Sequence, residues 1–248
     1  MIAAIIQARL GAERLPGKVL MKLGNSNILN FQLMRIKKAK RLNEIIVATT
    51  EEKQDDKIVE FCEENRIKFY RGSTKDVLSR YYHCAKLFKV DTIVRLTADC
   101  PFIDPNVIDK VIDIFFEKRA DFSSNTVPPE TSSWPDGSDV EVFSFKNLEI
   151  AYKNSVDLNE REHVTFYFWK NKINNFSNIQ LENDQDWSKY RFTLDYPKDF
   201  EVIKKIYLEL KKNNQFGYIK DVVDILKKNP EIRNLNKDYH FGIGWDNK

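Results

Sequence analysis

The sequence has few cysteines, few glycines and prolines, no concentrated basic block and no long apolar run. Its three cysteines, Cys62, Cys84 and Cys100, form no CxxC pair, and its three histidines are scattered. A disulfide framework and a zinc knuckle are therefore not supported. The chain has eight glycines and eight prolines in 248 residues, so loops are expected to be few and mostly short.

The distribution of charged and apolar residues argues against two classes of partner. The 40 basic and 37 acidic residues are interleaved along the chain, whereas nucleic-acid-binding proteins concentrate basic residues on one stripe. No apolar run approaches the roughly 18 residues of a membrane-spanning helix. The apolar segment at residues 1–8 lacks a basic leader. We therefore expect a cytoplasmic protein that binds neither nucleic acid nor membrane.

The spacing of apolar residues predicts an α/β fold. Amphipathic segments of helical spacing alternate with short apolar runs of strand length, which lie at residues 2–7, 44–49, 67–70 and 92–96. This alternation is typical of βαβ units, with a mostly parallel central sheet and helices on both faces. The length of the chain indicates one domain over residues 1–248. In the less regular second half, residues 160–170 are predicted to be helical and residues 190–194 to form a strand.

A basic loop that contains glycine follows the first predicted strand. Residues 7–18, QARLGAERLPGK, carry three cations and two glycines, namely Arg9, Arg14, Lys18, Gly11 and Gly17. Glycine lets the backbone approach an anion closely, and arginine and lysine bind phosphate oxygens. The glycines enclose five residues, one more than in a P-loop, and a valine follows the lysine in place of Ser or Thr. The loop predicts a polyphosphate site of another kind, or else a solvated basic loop.

Two aspartates lie at the ends of predicted strands, each shortly before a proline. Asp99 follows the strand at residues 92–96, and Asp195 follows the strand at residues 190–194. Ligands of open α/β sheets bind beyond the carboxyl ends of the strands, and Mg²⁺ prefers one or two carboxylates with phosphate oxygens. The pair is thus a candidate metal site, although turn and cap roles would give the same pattern. We interpret Asp199 as the cap of the helix that follows.

A further polar cluster is predicted around residues 136–142 and 161–165. Asp139 and Glu141 project from the same face of a predicted strand, because side chains alternate along a strand. Arg161 and His163 lie in a charged segment, where a histidine is not expected to belong to the core. These side chains are candidates for binding a polar acceptor, although a solvated strand face and a helix start would look alike.

The segment at residues 7–18 resembles the N-terminal signature of the cytidylyltransferases that make CMP-activated sugar acids. These include the CMP-Kdo synthetases and the acylneuraminate cytidylyltransferases, and the SpsF-like group of spore coat polysaccharide biosynthesis is more similar still. Matching segments follow in the same order within about residues 2–205, at residues 71–77, 96–104, 136–143, 161–165 and 192–199. One departure is Ala12, where relatives commonly have serine, although a backbone amide can still serve there.

The resemblance implies a Rossmann-like nucleotidyltransferase fold, CTP as donor, Mg²⁺ as cofactor, a small acidic acceptor and a homodimer. It implies catalytic roles for the residues that hold the triphosphate, Arg9, Arg14 and Lys18, and for those that hold Mg²⁺, Asp99 and Asp195. Further nucleotide contacts are expected at Ala8, Gly11, Arg71, Ser73, Asp76 and Thr97. Acceptor contacts are expected at Asp139, Glu141, Arg161 and His163, in an insertion of about residues 126–190 that also mediates dimerisation.

These observations predict a Mg²⁺-dependent transfer of CMP from CTP to an acidic sugar or related acceptor, in surface polysaccharide or glycoconjugate biosynthesis. A glycosyltransferase that uses a nucleotide sugar is one alternative. Its DxD-type site would have to be Asp184 and Asp186, far along the chain from the basic loop. A non-catalytic nucleotide-binding protein is a second alternative, and the presence of all three cations and both metal-site aspartates argues against it.

Overall fold

The structure, a computed structural model, describes residues 1–170 and 176–243. Its strands are β1 (Ile2–Gln7), β2 (Lys22–Leu23), β3 (Ser26–Asn27), β4 (Glu44–Thr50), β5 (Lys68–Gly72), β6 (Thr92–Thr97), β7 (Phe122–Ser124), β8 (Glu141–Ser144) and β9 (Asn178–Gln180). Its helices are α1 (Ile28–Ile36), α2 (Asp56–Glu64), α3 (Val77–Leu87), α4 (Pro105–Glu117), α5 (Phe145–Asn154), α6 (Leu158–His163), α7 (Phe166–Trp169), α8 (Pro197–Lys212), α9 (Ile219–Lys228) and α10 (Pro230–Arg233).

Seven strands form a central sheet in the order β5-β4-β1-β6-β8-β7-β9. The strands β5, β4, β1 and β6 are parallel to one another, and β7 is parallel to β9. Only β8 runs the other way, antiparallel to both of its neighbours. The prediction of a mostly parallel sheet is confirmed. The strands β2 and β3 form a separate antiparallel hairpin, which was not predicted because each of them has only two residues.

Helices cover both faces of the sheet, as the sequence predicts. Ala4 and Ile6 of β1 face a core built with α1, α2, α4, α8 and α9. Ala3 and Ile5 face the opposite core, built with α3, α5 and α7. Both faces of β1 are buried, which explains why this strand is a continuous apolar run in the sequence. No helix among the described residues is both long and apolar enough to cross a membrane.

Two predicted elements in the second half are wrong. The helix expected at residues 160–170 is interrupted between α6 and α7, because Val164 has a φ of 55°, a left-handed conformation that a helix cannot contain. The strand expected at residues 190–194 is a single bridge between Asp136 and Arg191. The backbone of this segment is otherwise bonded to loops, so no ladder forms.

The stretch of residues 126–190 is not wholly separate from the sheet. It contributes β8 and β9, and β8 lies between β6 and β7. The single-domain organisation stays a prediction, and so do the roles of this stretch in acceptor binding and dimerisation.

Candidate active site

Three chain segments meet beyond the carboxyl ends of β1 and β6. The two strands are paired in register up to Gln7 and Thr97, so the loops that follow them lie side by side. The third segment, residues 191–196, joins the β6 loop because the Leu194 backbone N–H donates to the Asp99 carbonyl oxygen at 2.8 Å. This edge is where ligands bind in open α/β sheets.

Lys18 lies where the three segments meet. Its Nζ donates to Asp99 Oδ2 at 2.9 Å, to Asp195 Oδ1 at 2.9 Å and to the carbonyl oxygen of Leu194 at 2.7 Å. Three acceptors match the three protons of an ammonium group. The lysine begins a 3₁₀ turn, and Gly17 before it has a φ of 73°, a conformation that favours glycine. The structure thus brings together three side chains from separate sequence motifs.

Opposite charges stabilise the ionised forms at this site. Burial would raise the pKa of Asp99, but the Lys18 ammonium and a hydrogen bond from Thr97 lower that pKa to about 2. Burial would lower the pKa of Lys18, but Asp99 and Asp195 raise it, and the net change is upward. The Lys18, Asp99 and Asp195 side chains are 12%, 26% and 18% exposed. The site is therefore charged and open to a ligand.

Arg14 extends the cationic side of the site. Its Nη2 lies 3.3 Å from Asp195 Oδ1, and its Nη1 donates to the Tyr196 hydroxyl at 3.2 Å. Tyr196 stacks on Tyr239 with ring centres 4.1 Å apart, which fixes the hydroxyl that Arg14 uses. Arg9 is half-buried and forms no hydrogen bond or ion pair with another described residue. Its guanidinium is therefore available to a ligand.

The two carboxylates of Asp99 and Asp195 fit a hard divalent cation. One oxygen of each lies 2.9 Å from a common point, the Nζ of Lys18. Mg²⁺ is commonly held by one or two carboxylates together with phosphate oxygens and water. Within residues 1–170 and 176–243, no group of three or more His, Cys, Asp or Glu side chains is suited to a metal. A metal here would complete its shell with substrate and water.

Asp199 and Arg191 fix the backbone that carries Asp195. Asp199 is fully buried and accepts from the backbone N–H groups of Asp195 at 3.0 Å and Tyr196 at 2.9 Å. Arg191 Nη2 lies 3.1 Å from Asp199, and its Nη1 is ion-paired with Asp136. Asp199 therefore has the capping role that the sequence suggests, at the start of α8, and Asp195 is left to face the cations.

Asp139 lies against the loop that carries Asp99. Its carboxylate accepts from Thr126 Oγ1 at 2.7 Å, from the Gly137 N–H at 3.1 Å and from Cys100 Sγ at 3.3 Å. Burial raises the pKa of Asp139, although the hydrogen bonds from Thr126 and Cys100 oppose that change. Among the four acceptor candidates, Asp139 is the one whose carboxylate bonds to the loop that carries Asp99.

The other acceptor candidates bind protein groups in this structure. Glu141 is ion-paired with Arg95 on the adjacent strand β6. Arg161 Nε donates to Asp76 at 2.9 Å, which joins α6 to α3. The His163 ring stacks on a phenylalanine of α7, with ring centres 4.4 Å apart. These contacts hold elements together, and the acceptor roles of these residues stay predictions.

The remaining nucleotide candidates lie at or just beyond the carboxyl ends of β1, β5 and β6. Each guanidinium nitrogen of Arg71 donates one hydrogen bond, to Asp56 at 2.7 Å and to the backbone carbonyls of Thr50 at 2.9 Å and Glu52 at 3.1 Å. Ser73 Oγ accepts from the backbone N–H that starts α3. Ala8 and Gly11 follow β1, and Thr97 is the last residue of β6. The nucleotide contacts of all these residues stay predictions.

Sequence reasoning did not single out Tyr196 or Arg191. Both lie beside Asp195 within one motif, and an arginine and a tyrosine beside a candidate metal ligand are a usable signal.

The chain is similar to known cytidylyltransferases over most of its length. A family model described as cytidylyltransferase matches residues 3–230. The spore coat polysaccharide biosynthesis protein SpsF of Bacillus subtilis is 30% identical over 237 residues, which cover 93% of this chain and 95% of that protein.

Solved structures give the same result. A cytidylyltransferase from Leptospira borgpetersenii has a TM-score of 0.87 and 35% identity, and the match covers 96% of this chain and 99% of that chain. A CMP:2-keto-3-deoxy-manno-octonic acid synthetase complexed with CTP has a TM-score of 0.61 at 12% identity, covering 84% of this chain and 98% of that chain. The second match shows a shared fold, which is the Rossmann-like nucleotidyltransferase fold that the sequence predicts.

Proposed function

The chain belongs to the cytidylyltransferase family, and we propose that it moves CMP from CTP to an acidic sugar or related acceptor, with Mg²⁺ and release of pyrophosphate. The observation that carries this proposal is the convergence of Lys18, Asp99 and Asp195 on one point. A carboxylate pair able to hold a divalent cation, beside cations able to hold phosphates, is what nucleotidyl transfer requires.

In the proposed reaction, an acceptor oxygen attacks the α-phosphorus of CTP. The new P–O bond forms as the bond between the α-phosphorus and the oxygen bridging to the β-phosphate breaks. The acceptor proton passes to water, and the electron pair of the broken bond leaves with pyrophosphate. Negative charge therefore grows on the leaving phosphates, next to Arg9, Arg14 and Lys18. Catalysis of this kind is mostly positioning and charge neutralisation.

The chain's own residues have separate tasks in this scheme. Asp99 and Asp195 would hold Mg²⁺, and the low pKa of Asp99 keeps that ligand ionised at neutral pH. The bound metal supplies charge neutralisation and a fixed geometry for phosphate oxygens. Lys18 would exchange its carboxylate partners for phosphate oxygens. Arg14 would also bind phosphate oxygens, through its planar guanidinium.

The names of the similar proteins support the substrates. The distant structural neighbour is named for a synthetase of a CMP-linked sugar acid and was solved with CTP. SpsF is named for spore coat polysaccharide biosynthesis. We therefore place the reaction in the synthesis of a surface polysaccharide or glycoconjugate, with an acceptor bound beside Asp139.

The glycosyltransferase alternative has no support at this site. Its DxD candidates, Asp184 and Asp186, are both exposed, and Asp186 accepts from the Ser188 backbone N–H at 2.9 Å. Neither is among the residues that contact Lys18.

A coupled assay of pyrophosphate release tests the proposal. The purified chain is incubated with CTP, Mg²⁺ and a panel of sugar acids, sugar phosphates and phosphonates, and products are weighed by mass spectrometry. We expect equal amounts of pyrophosphate and a CMP-linked product with at least one acidic acceptor. UDP-sugar consumption without pyrophosphate release would contradict the proposal and favour the glycosyltransferase.

The same assay, applied to variants, tests whether the activity depends on the metal-site carboxylate of Asp99. Asp99→Asn removes a charge from the metal site and is expected to slow product formation by at least ~100-fold, the effect of losing one preorganised electrostatic group. The matched control is Asp224→Asn on α9, where the carboxylate pairs with Lys220 on an exposed helix face. Equal rates in the two variants would defeat the assignment of Asp99.

A further inference from the structure

The C-terminal tail, residues 234–243, passes from one face of the central sheet to the other. Leu235 packs against the core that contains α1 and α8, and Phe241 packs against the core on the opposite face, which contains α3 and α5. A chain that joins the two faces has to cross an edge of the sheet. The crossing is at the candidate active site, because Tyr239 lies against Tyr196, the residue that follows the metal-site aspartate.

Two side chains fasten the tail to the start of α8. Asn236 is 3% exposed, and its Nδ2 donates to Asp199 at 2.8 Å. The Tyr239 ring stacks on the ring of Tyr196, with centres 4.1 Å apart and 16° between the planes. An offset stack of this kind stabilises both rings beyond the area that they bury. The tail therefore restricts the position of Tyr196.

Tyr196 in turn restricts Arg14 of the basic loop. Arg14 Nη1 donates to the Tyr196 hydroxyl at 3.2 Å, and the guanidinium carbon lies 4.9 Å from the centre of the tyrosine ring. The Arg14 side chain is 38% exposed, and an exposed arginine loses much rotamer freedom when it is ordered. Tyr239, Tyr196 and Arg14 thus form a row in which each side chain limits the motion of the next.

The row becomes more important when the site is loaded. Within the part of the chain that the structure describes, Arg14 has two partners, the Tyr196 hydroxyl and the Asp195 carboxylate at 3.3 Å. In the proposed function Asp195 turns to the metal ion, so the tyrosine remains to hold the arginine. An arginine that is already ordered loses less side-chain entropy when it binds phosphate oxygens.

Tyr239 is not needed to attach the tail or to hold the other arginine nearby. Asn236 and Phe241 anchor the tail on either side of Tyr239. The guanidinium carbon of Arg191 lies 5.9 Å from the Tyr239 ring centre, but Arg191 is already ion-paired with three carboxylates. The contact that depends on the Tyr239 ring is therefore the one with Tyr196.

We infer that Tyr239 is a positioning residue for Arg14, which acts through Tyr196 and makes the C-terminal tail part of the triphosphate site. The inference rests on the proposed function, because it takes Arg14 to bind the phosphates that leave. The tail lies beyond residues 3–230, which the family model matches. The role therefore belongs to a segment outside that match.

The test compares Tyr239→Ala, Tyr239→Phe and the control Tyr218→Ala by calorimetric titration with CTP and with CMP, in the presence of Mg²⁺. CMP lacks the two phosphates that leave. Tyr239→Ala is expected to weaken CTP binding by ~3- to 10-fold, the effect of having to order one arginine side chain on binding, and to change CMP binding little. Tyr239→Phe keeps the ring and is expected to bind both ligands as the wild type does.

The control removes a ring of the same kind at another place. Tyr218 precedes α9, and its ring lies 4.9 Å from that of Phe216. Tyr218→Ala is expected to bind CTP and CMP as the wild type does. Melting temperatures without ligand show whether each variant is folded.

A double-variant cycle shows whether Tyr239 acts through Arg14. Two residues that act as one unit give effects that do not add, so Tyr239→Ala is expected to have no further effect on CTP binding in an Arg14→Met background. Tyr196→Phe keeps the ring that stacks and removes the hydroxyl. It is expected to weaken CTP binding as Tyr239→Ala does, and it tests the same row should Tyr239→Ala not fold.

Three results would overturn the inference. One is wild-type affinity for CTP in both Tyr239→Ala and Tyr196→Phe. Another is an equal loss of CTP and CMP binding, which would make the role of the ring structural. The third is a loss that persists in the Arg14→Met background, which would mean that another residue transmits the effect. A wild type that binds no CTP would contradict the proposed function, and this inference with it.

Discussion

Lys18 occupies the point at which the two metal-site carboxylates meet, so a metal ion must compete with its ammonium. Three acceptors surround Nζ at 2.7–2.9 Å. When CTP and Mg²⁺ bind, the ammonium can turn to phosphate oxygens while the carboxylates turn to the metal. Without CTP and Mg²⁺, the Lys18 ammonium therefore takes the place of the metal ion between the two carboxylates.

Lys18→Met tests this arrangement through stability. The variant removes the ammonium that separates Asp99 from Asp195 and leaves only Arg14 and Arg191 beside Asp195, so the free energy of unfolding is expected to fall by about 3 kcal/mol. Mg²⁺ is then expected to raise the melting temperature of Lys18→Met more than that of the wild type, because no ammonium competes with it. Thermal unfolding with and without Mg²⁺ measures both effects. Equal stabilisation of the two proteins by Mg²⁺ would place the metal elsewhere.

The buried cysteines predict an alkaline loss of stability. Cys62 and Cys84 are fully buried, and burial raises the pKa of each thiol to about 12. In the unfolded chain these thiols ionise near pH ~8.5. Stability is therefore fully present below that pH and is lost as the pH rises towards 12. Each thiol accounts for a loss of about 3 kcal/mol by pH ~10.5.

Urea unfolding at pH 8 and pH 10.5 checks this prediction. The double variant Cys62→Ala, Cys84→Ala is expected to be less stable than the wild type at pH 8, because it contains cavities. Its stability should fall less between the two pH values. A fall of the same size in both proteins would mean that other groups cause the alkaline loss.

Among the elements, the first turn of α8 determines where Asp195 points. Asp199 in that turn holds the backbone of Asp195 and Tyr196, and it also binds Arg191 at 3.1 Å and Asn236 at 2.8 Å. One buried carboxylate therefore joins the start of the helix, the metal-site segment and the C-terminal part of the described chain. Loss of the Asp199 carboxylate is therefore expected to lower both the free energy of unfolding and the affinity for the metal.

Asp199→Ala is expected to lower the free energy of unfolding by about 3 to 5 kcal/mol, because it leaves buried donors unpaired and weakens the Arg191 ion pair. Asp224→Ala on α9 is the control, since its exposed pair with Lys220 contributes at most about 1 kcal/mol. Urea denaturation of the two variants measures the difference. Similar losses in both would show that Asp199 has no special role in α8.

The sequence predicts elements well where one pattern decides them. The apolar runs of β1, β4 and β6 are where the sequence indicates. The break at Val164 and the loop at residues 190–194 depend on tertiary contacts and were predicted wrongly. Local spacing contains no information about the loop against which an extended segment will lie.

The candidate site residues likewise fall into those that the sequence predicts and those whose contacts only the structure shows. Lys18, Asp99 and Asp195 were singled out because each lies after a strand, and parallel strands bring such positions to one edge. Arg71 was expected to contact the nucleotide, and only the structure shows that its guanidinium is bonded to Asp56 and to the backbone of Thr50 and Glu52.

At the scale of the whole molecule, the sheet order arranges the chemistry in a line. The metal-site carboxylate Asp99 follows β6, the basic loop follows β1, and a cavity lined by Gly72 and Ser73 lies at the end of β5. The acceptor candidate Asp139 lies on the other side of β6, just before β8. The phosphates and the acceptor of the proposed reaction would therefore lie side by side along one edge of the sheet. The homodimer that the resemblance implies stays a prediction.

The most direct test of this account is the melting temperature with nucleotides, measured with and without Mg²⁺. A ligand that binds only the folded chain raises its melting temperature by mass action. We expect CTP with Mg²⁺ to stabilise the wild type more than UTP, ATP, GTP or UDP-sugars do, and we expect Asp99→Asn to lose the part that depends on Mg²⁺. Equal stabilisation of Asp99→Asn and the wild type by CTP with Mg²⁺, or no stabilisation by any nucleotide, would contradict the account.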